Sequence, residues 1–291
     1  DYPSEVAVDG SGNVVLYGHL DFFSTKRTSF LARYSASGVL QWKRTVTGTS
    51  RIGYVAASAG GDLFLGGSLS GSTFDLGAGP ITTPPDSRSF VTRLSSAGVP
   101  TWTTFFKGPG SLYLDAAALK TNASSLLSLY STVPVDLGSG PISGARLLQV
   151  DGNGALVWDK ALPVRARRIG VGAQGAITCA GHFSGNNINL GGGPLPNAGH
   201  DDLFVARLDS SGAHLWSKSY GTTASENLAT LAVSAAGDVT LTGRPPFING
   251  GAKRRYSFLI KRFDNAGASG WVQHHGNTKA MKGIQVAADL S

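Results

Sequence analysis

Glutamate occurs only twice in this 291-residue chain, at Glu5 and Glu226, and cysteine only once, at Cys179. Charged residues make up just 15%. Long solvent-exposed helices draw on Glu, Lys and Arg, so this composition disfavours them. No apolar run reaches the roughly 20 residues of a membrane-spanning helix, and no membrane span is expected. A single cysteine excludes an internal disulfide. Cys179 lies in the apolar run Ala176-Ile177-Thr178-Cys179-Ala180 and reads as a small buried hydrophobe. With so little Glu, paired-carboxylate hydrolysis would have to rely on Asp. Gly-x-Ser-x-Gly, His-Glu-x-x-His and phosphate-binding loops are all missing.

What the chain has is glycine, 40 residues in all, about twice the usual share. It is also 41% hydrophobic, enough for a core. Many short strands joined by tight turns suit this balance. The net charge of +7 is carried by dispersed basic residues. A soluble cationic surface explains it, and an acidic partner would suit it.

The five tryptophans are Trp42, Trp102, Trp158, Trp216 and Trp271. Nine residues before them stand Arg33, Arg93, Gln149, Arg207 and Arg262, and four before them Gly38, Gly98, Gly154, Gly212 and Gly267. Neither offset slips in five copies. Each copy reads as a hairpin: a β-rich run such as Phe204-Val205-Ala206-Arg207-Leu208, a turn with glycine for positive φ, then a run with the Trp. A second hairpin turns at Gly12, Gly61, Gly175 and Gly237. The third repeat departs, with Ser124 and Tyr130 at its two glycine positions.

Two hairpins per repeat predict a four-stranded antiparallel sheet, and stacking such sheets radially buries both faces of each. The expected fold is an all-β β-propeller over residues 1–291 as a single domain. Its repeats cover about 1–51, 52–111, 112–167, 168–227 and 228–282, and 283–291 begin a further one. The tail from Gly283 to Asp289 repeats the opening strand around Val6-Ala7-Val8-Asp9. We therefore expect a piece of a longer chain, with a closed five-blade ring and a displaced end strand as the alternative.

The run from Asp201 through Leu203-Phe204-Val205-Ala206-Arg207-Leu208-Asp209 to Gly212 and Trp216 resembles the bacterial seven-bladed β-propeller repeat family known as SBBP. The hairpin through Val233, Gly237, Asp238 and Gly243 belongs to the same pattern. Ala7-Val8-Asp9 to Gly12-Asn13 is similar also to NHL-type propeller repeats. The resemblance covers essentially the whole chain and implies a secreted or cell-surface bacterial protein with a binding or scaffold role. It is specific for fold and nearly silent on activity; no catalytic residue and no cofactor are expected.

Within each repeat the second and third strands are joined by longer segments, about 21–29, 68–89, 131–145, 182–202 and 244–257. Binding residues favour such loops. Three of them carry one submotif, at Asp75-Leu76-Gly77-Ala78-Gly79-Pro80, Asp136-Leu137-Gly138-Ser139-Gly140-Pro141 and Asn189-Leu190-Gly191-Gly192-Gly193-Pro194. Its recurrence points to a structural turn. The first and fifth repeats carry bases instead. Lys26, Arg27, Lys253, Arg254 and Arg255, with Tyr256, form a candidate anion-binding patch should those loops be neighbours on one face of the disc. Ordinary solvated loop charge is the competing reading.

The tryptophans at one strand register, and Arg33, Arg93, Arg207 and Arg262 with them, are expected to be structural. The alternative makes the tryptophans sugar-stacking platforms of a lectin-like propeller. The Asp-Gly turns at Asp9 and Asp151 have too few carboxylates for calcium. His274 and His275 point to opposite sides of a strand, so no metal is expected there. No basic stripe interleaved with aromatics favours nucleic acid. The function expected is therefore non-enzymatic binding of an unknown protein or polysaccharide, an anionic one included, in the extracellular space or cell envelope. A hydrolase or lyase with a channel-face site is the further alternative.

Overall fold

The computed structural model describes residues 2–20, 28–69, 71–107, 112–120, 124–136, 140–185, 188–223, 225–244 and 256–277. Among these there is no α-helix, and none long and apolar enough to cross a membrane. The first repeat is β1 (Tyr2–Val8), β2 (Val14–Leu20), β3 (Thr28–Tyr34) and β4 (Leu40–Val46). The second holds β5 (Thr49–Ala57), β6 (Leu63–Leu69), a small hairpin of β7 (Thr73–Asp75) and β8 (Pro80–Thr82), then β9 (Ser87–Leu94) and β10 (Pro100–Lys107). The third is β11 (Leu112–Leu119), β12 (Ser125–Asp136), β13 (Pro141–Val150) and β14 (Leu156–Leu162). The fourth holds β15 (Arg168–Val171), β16 (Ile177–Ser184), the pair β17 (Ile188–Asn189) and β18 (Pro194–Leu195), then β19 (Asp201–Leu208) and β20 (His214–Tyr220). The fifth is β21 (Asn227–Val233), β22 (Val239–Arg244), β23 (Tyr256–Phe263) and β24 (Ser269–Asn277).

Each repeat is an antiparallel meander of four main strands, the form of a propeller blade. The sheets of the second and third repeats are bridged at one pair, Lys107 with Asp136. The segment 131–145, expected to be a loop, is largely strand. β12 runs on to Asp136 and β13 begins at Pro141, because Val135 and Ala145 are buried and the apolar pattern continues the ladder.

The chain divides into two compact units, Asp1–Asp159 and Lys160–Ser291. In the first, β1 lies beside β5 and β5 beside β11; in the second, β15 lies beside β21. The opening strands of successive repeats are thus adjacent within each compact unit. The cores form between sheets. Leu31, Val46, Leu65 and Phe90 join the first and second repeats. Phe64, Val91, Leu127 and Leu148 join the second and third, and Val205, Leu241 and Phe263 the fourth and fifth. Cys179 is fully buried, which pushes its thiol up to about 12.

Candidate functional site

The ninefold spacing of Arg and Trp is the span of one hairpin. Arg33 pairs across the ladder with Trp42, Arg93 with Trp102 and Arg207 with Trp216. Cross-strand partners share a face, so each pair projects together toward the next repeat. A bulge follows each pair, where the turn glycine has to be absorbed.

What that face does is the same three times over. The Trp42 indole N–H donates to Ser96 O at 3.0 Å, Trp102 to Gly152 O at 2.8 Å and Trp216 to Asn265 O at 2.9 Å. Each acceptor is the second residue of the next repeat's turn. The glycine ending that turn lies against the indole, so that a Cβ on Gly98, Gly154 or Gly267 would fall 2.6–3.1 Å from ring atoms of the preceding Trp. Only glycine satisfies both this approach and the positive φ.

The arginines act in parallel at the other hairpin turn. Arg33 donates to Gly61 O of the second repeat at 2.7 Å and pairs with buried Asp9 at 2.5 Å. Arg207 donates to Gly237 O of the fifth repeat at 3.2 Å and to Thr178 Oγ1 at 2.9 Å. Arg93 and Arg262 bind Asp62 and Asp238, both in their own repeats' turns. In the third repeat Gln149 replaces the arginine. It accepts from Lys120 Nζ and from Trp158 Nε1, each at 3.0 Å, so the positive charge comes from the turn instead of the strand.

The submotif is a hairpin in all three repeats, with Asp75 paired to Pro80, Asp136 to Pro141 and Asn189 to Pro194. Asp75 Oδ1 accepts from the N–H groups of Gly77, Ala78 and Gly79, and Asn189 Oδ1 from Gly191 and Gly193. These side chains are occupied in building the turn. The candidate patch of Lys26, Arg27, Lys253, Arg254 and Arg255 lies outside the described residues. Tyr256 begins β23, and its side chain lies outside them too.

Chemistry that the repeat does not require gathers between the fourth and fifth repeats. Lys261 occupies the register of Ala32, Thr92, Leu148 and Ala206, and Tyr220 that of Val46, Phe106 and Leu162. Lys261 is 5% exposed, and its ammonium donates to Ser269 Oγ at 2.5 Å and Gly270 O at 3.0 Å. It sits over the rings of Tyr220 and Phe263, and burial lowers its pKa. Tyr220 Oη bonds His274 Nε2 at 3.1 Å. Burial, and then the Glu226 charge, raises the Tyr220 pKa. The exposed Ser269 and His274 give this seam hydrogen-bonding groups of both kinds. Neither Lys261 nor Tyr220 could be singled out in one copy; only alignment of the five repeats shows them as exceptions.

Nearby, Asp202 and Glu226 are both buried, at 1% and 0% exposure. Glu226 accepts from Thr222 N–H at 3.0 Å and from its hydroxyl at 2.5 Å. Asp202 Oδ2 accepts from Ala198 N–H at 2.7 Å, while Oδ1 has no partner. Burial raises the Asp202 pKa, with the Glu226 and Asp201 charges adding to the effect. No group of three or more His, Cys, Asp or Glu among the described residues could hold a metal. A carboxyl whose pKa is raised by folding favours the native state fully below its unfolded pKa, and that contribution is lost as pH rises through the folded value. Asp202→Asn keeps an acceptor for Ala198 and removes the charge. It is expected to stabilise the protein by about 1 kcal/mol at neutral pH, with the gain shrinking as pH falls through the raised folded value and gone below about pH 4. Urea unfolding across pH checks this, and equal or lower stability of the variant at pH 7 refutes it.

No protein-family model matches the chain, and neither does any curated protein. Solved structures match over most of this chain, at TM-scores below 0.5. A eukaryotic initiation factor matches at TM-score 0.44 and 10% identity, over 94% of this chain and 55% of that one. A puromycin hydrolase mutant (S511A, complexed with PGG) matches at 0.49 and 14%, over 92% and 38%. The WD40 domain of SCAP from fission yeast matches at 0.37 and 11%, over 95% and 74%. The chain thus spans about half of the first and under two fifths of the second.

Proposed function

We propose that this chain is a β-propeller of SBBP-like repeats that serves as a non-enzymatic binding or scaffold module of a bacterial surface or secreted protein. One observation carries the reading. Trp42, Trp102 and Trp216, with Arg33 and Arg207, spend their polar groups on the turn of the following repeat. The strongest sequence signal is therefore architecture, and the faces of these indoles are not free sugar platforms. Ligand selection falls to what differs between repeats: the connecting loops and the Tyr220–Lys261–His274 seam. A propeller ring presents such departures on a rigid frame. An anionic protein or polysaccharide suits the net charge of +7.

A glycan and polyanion array tests it, together with a hydrolase and lyase substrate panel. Binding is expected to weaken with salt and to be lost when connecting loops are replaced by Gly-Ser at unchanged thermal stability. Turnover that disappears with one polar substitution at the seam would overturn the non-enzymatic reading.

A further inference from the structure

Asp202 and Glu226, both buried, lie where the fourth repeat meets the fifth. Neither belongs to the repeat pattern. Five residues before the strand arginine or glutamine the other repeats carry Thr28, Arg88, Gly144 and Ser257, and Glu226 is one of only two glutamates in the chain. The Glu226 N–H donates to Asp201 O at 2.6 Å, which ties the two acidic segments together. Both carboxylates then border the Gly221–Thr222 peptide. Glu226 accepts from the Thr222 N–H at 3.0 Å, and a Cβ on Gly221 would fall 2.1 Å from Asp202 Oδ1.

This arrangement leaves buried negative charge unanswered. Asp202 Oδ1 has no hydrogen-bond partner, and it is aimed at the peptide that Glu226 holds. The charges acting on Asp202 are those of Glu226 and Asp201, both of its own sign. A buried carboxylate is ordinarily hydrogen-bonded, paired with a cation or bound to a metal. A proton on Asp202 would cancel one of the two charges, whereas a divalent cation cancels both. The two side chains offer oxygen alone, with no imidazole or thiolate, which suits a hard cation and not zinc. Two carboxylates suffice where carbonyls and water complete the shell, as they do for calcium. Thr222 and Thr223 of the same turn are exposed, so water reaches it. Magnesium dehydrates reluctantly and demands a near-ideal octahedron, a poor match to two buried carboxylates on an irregular turn.

We infer that Asp202 and Glu226 together bind one calcium ion, which fastens the start of β19 to the 221–226 turn that leads into the fifth repeat. Asp202 then has two roles set by condition. Without the ion its carboxylate weakens the fold, and with the ion it is a ligand that strengthens it. The site is separate from the ligand chosen by the connecting loops, and it can fail while the binding reading stands.

Thermal unfolding and calorimetric titration of the full chain, first stripped with a chelator, test this with calcium chloride as the probe. One ion per chain is expected, with a Kd of about 10⁻⁴–10⁻³ M. Calcium at about 10 mM should raise the melting temperature by at least about 3 °C. In chelator Asp202→Asn should melt above the wild type, and calcium should close that gap. The variant should bind the ion at least about tenfold more weakly, which corresponds to about 1.4 kcal/mol. Glu226→Gln should weaken binding similarly. Asp209→Asn, at a turn aspartate of the same repeat that accepts from Ala213 N–H, should keep the full response. Circular dichroism confirms folding, and Asp202→Asn, which retains an acceptor for Ala198, carries the test should Glu226→Gln not fold. A wild type with neither calcium heat nor a shift, a shift reproduced by sodium chloride at equal ionic strength, or an equal shift in Asp202→Asn each overturns the inference.

Discussion

Asp9→Ala is expected to destabilise the Asp1–Asp159 compact unit by about 3–5 kcal/mol, the cost of leaving a buried charge without its partner. The side chains of Asp9 and Arg33 are 2% and 6% exposed and meet at 2.5 Å. The same carboxylate accepts from the N–H groups of Ser11 and Asn13, each at 2.9 Å, and from the Asn13 amide at 2.8 Å. It therefore closes the first turn, holds the guanidinium and, through Arg33, reaches Gly61 of the next repeat. Burial alone would raise the Asp9 pKa, but the bonds from Asn13 and Ser11 and the Arg33 charge outweigh it and the pKa is lowered. A carboxyl with a depressed folded pKa contributes stability above its unfolded value, near 3.9, and loses it as pH falls through the folded one. The advantage of wild type over Asp9→Asn should therefore shrink below about pH 4. Urea unfolding followed by segment-resolved hydrogen exchange separates the two compact units, which need not open together. A loss under 1 kcal/mol for Asp9→Ala would show that Arg33 finds other acceptors.

Trp102→Ala is expected to cost about 3 kcal/mol. Its ring meets Phe64 edge-on at 5.6 Å, packs on the core between the second and third repeats and lies against Gly154. Its N–H holds Gly152 O. Trp102→Phe keeps most of the apolar contact and drops the hydrogen bond, so about 1 kcal/mol should be lost. The same exchange at Trp271, which is half exposed, should change the stability of the isolated molecule little. Similar losses at Trp102 and at the more exposed Trp271 would contradict a stapling role that depends on packing against a neighbouring turn.

Much of this arrangement was legible before any coordinates. The constant distance from Arg to Trp is a hairpin length, and Gly38, Gly98 and their counterparts occupy positive-φ positions that the turn imposes. Such features are local, and local steric rules write themselves into spacing. The seam of Tyr220, Lys261, Ser269 and His274 left a weaker trace. These residues stand far apart along the chain, and each resembles ordinary strand composition until two sheets bring them together. Asp202 and Glu226 were equally silent, because burial is a property of what packs on a residue and not of the residue itself.

The sequence alone therefore determined the strand content, the four-stranded repeat and the turn chemistry, since these depend on backbone sterics and on side-chain alternation over a few residues. Only the tertiary structure decided what the repeated side chains are for. Whether an indole stacks on a sugar or donates to a turn depends on what lies 3 Å away, and that atom belongs to a residue about fifty positions along the chain.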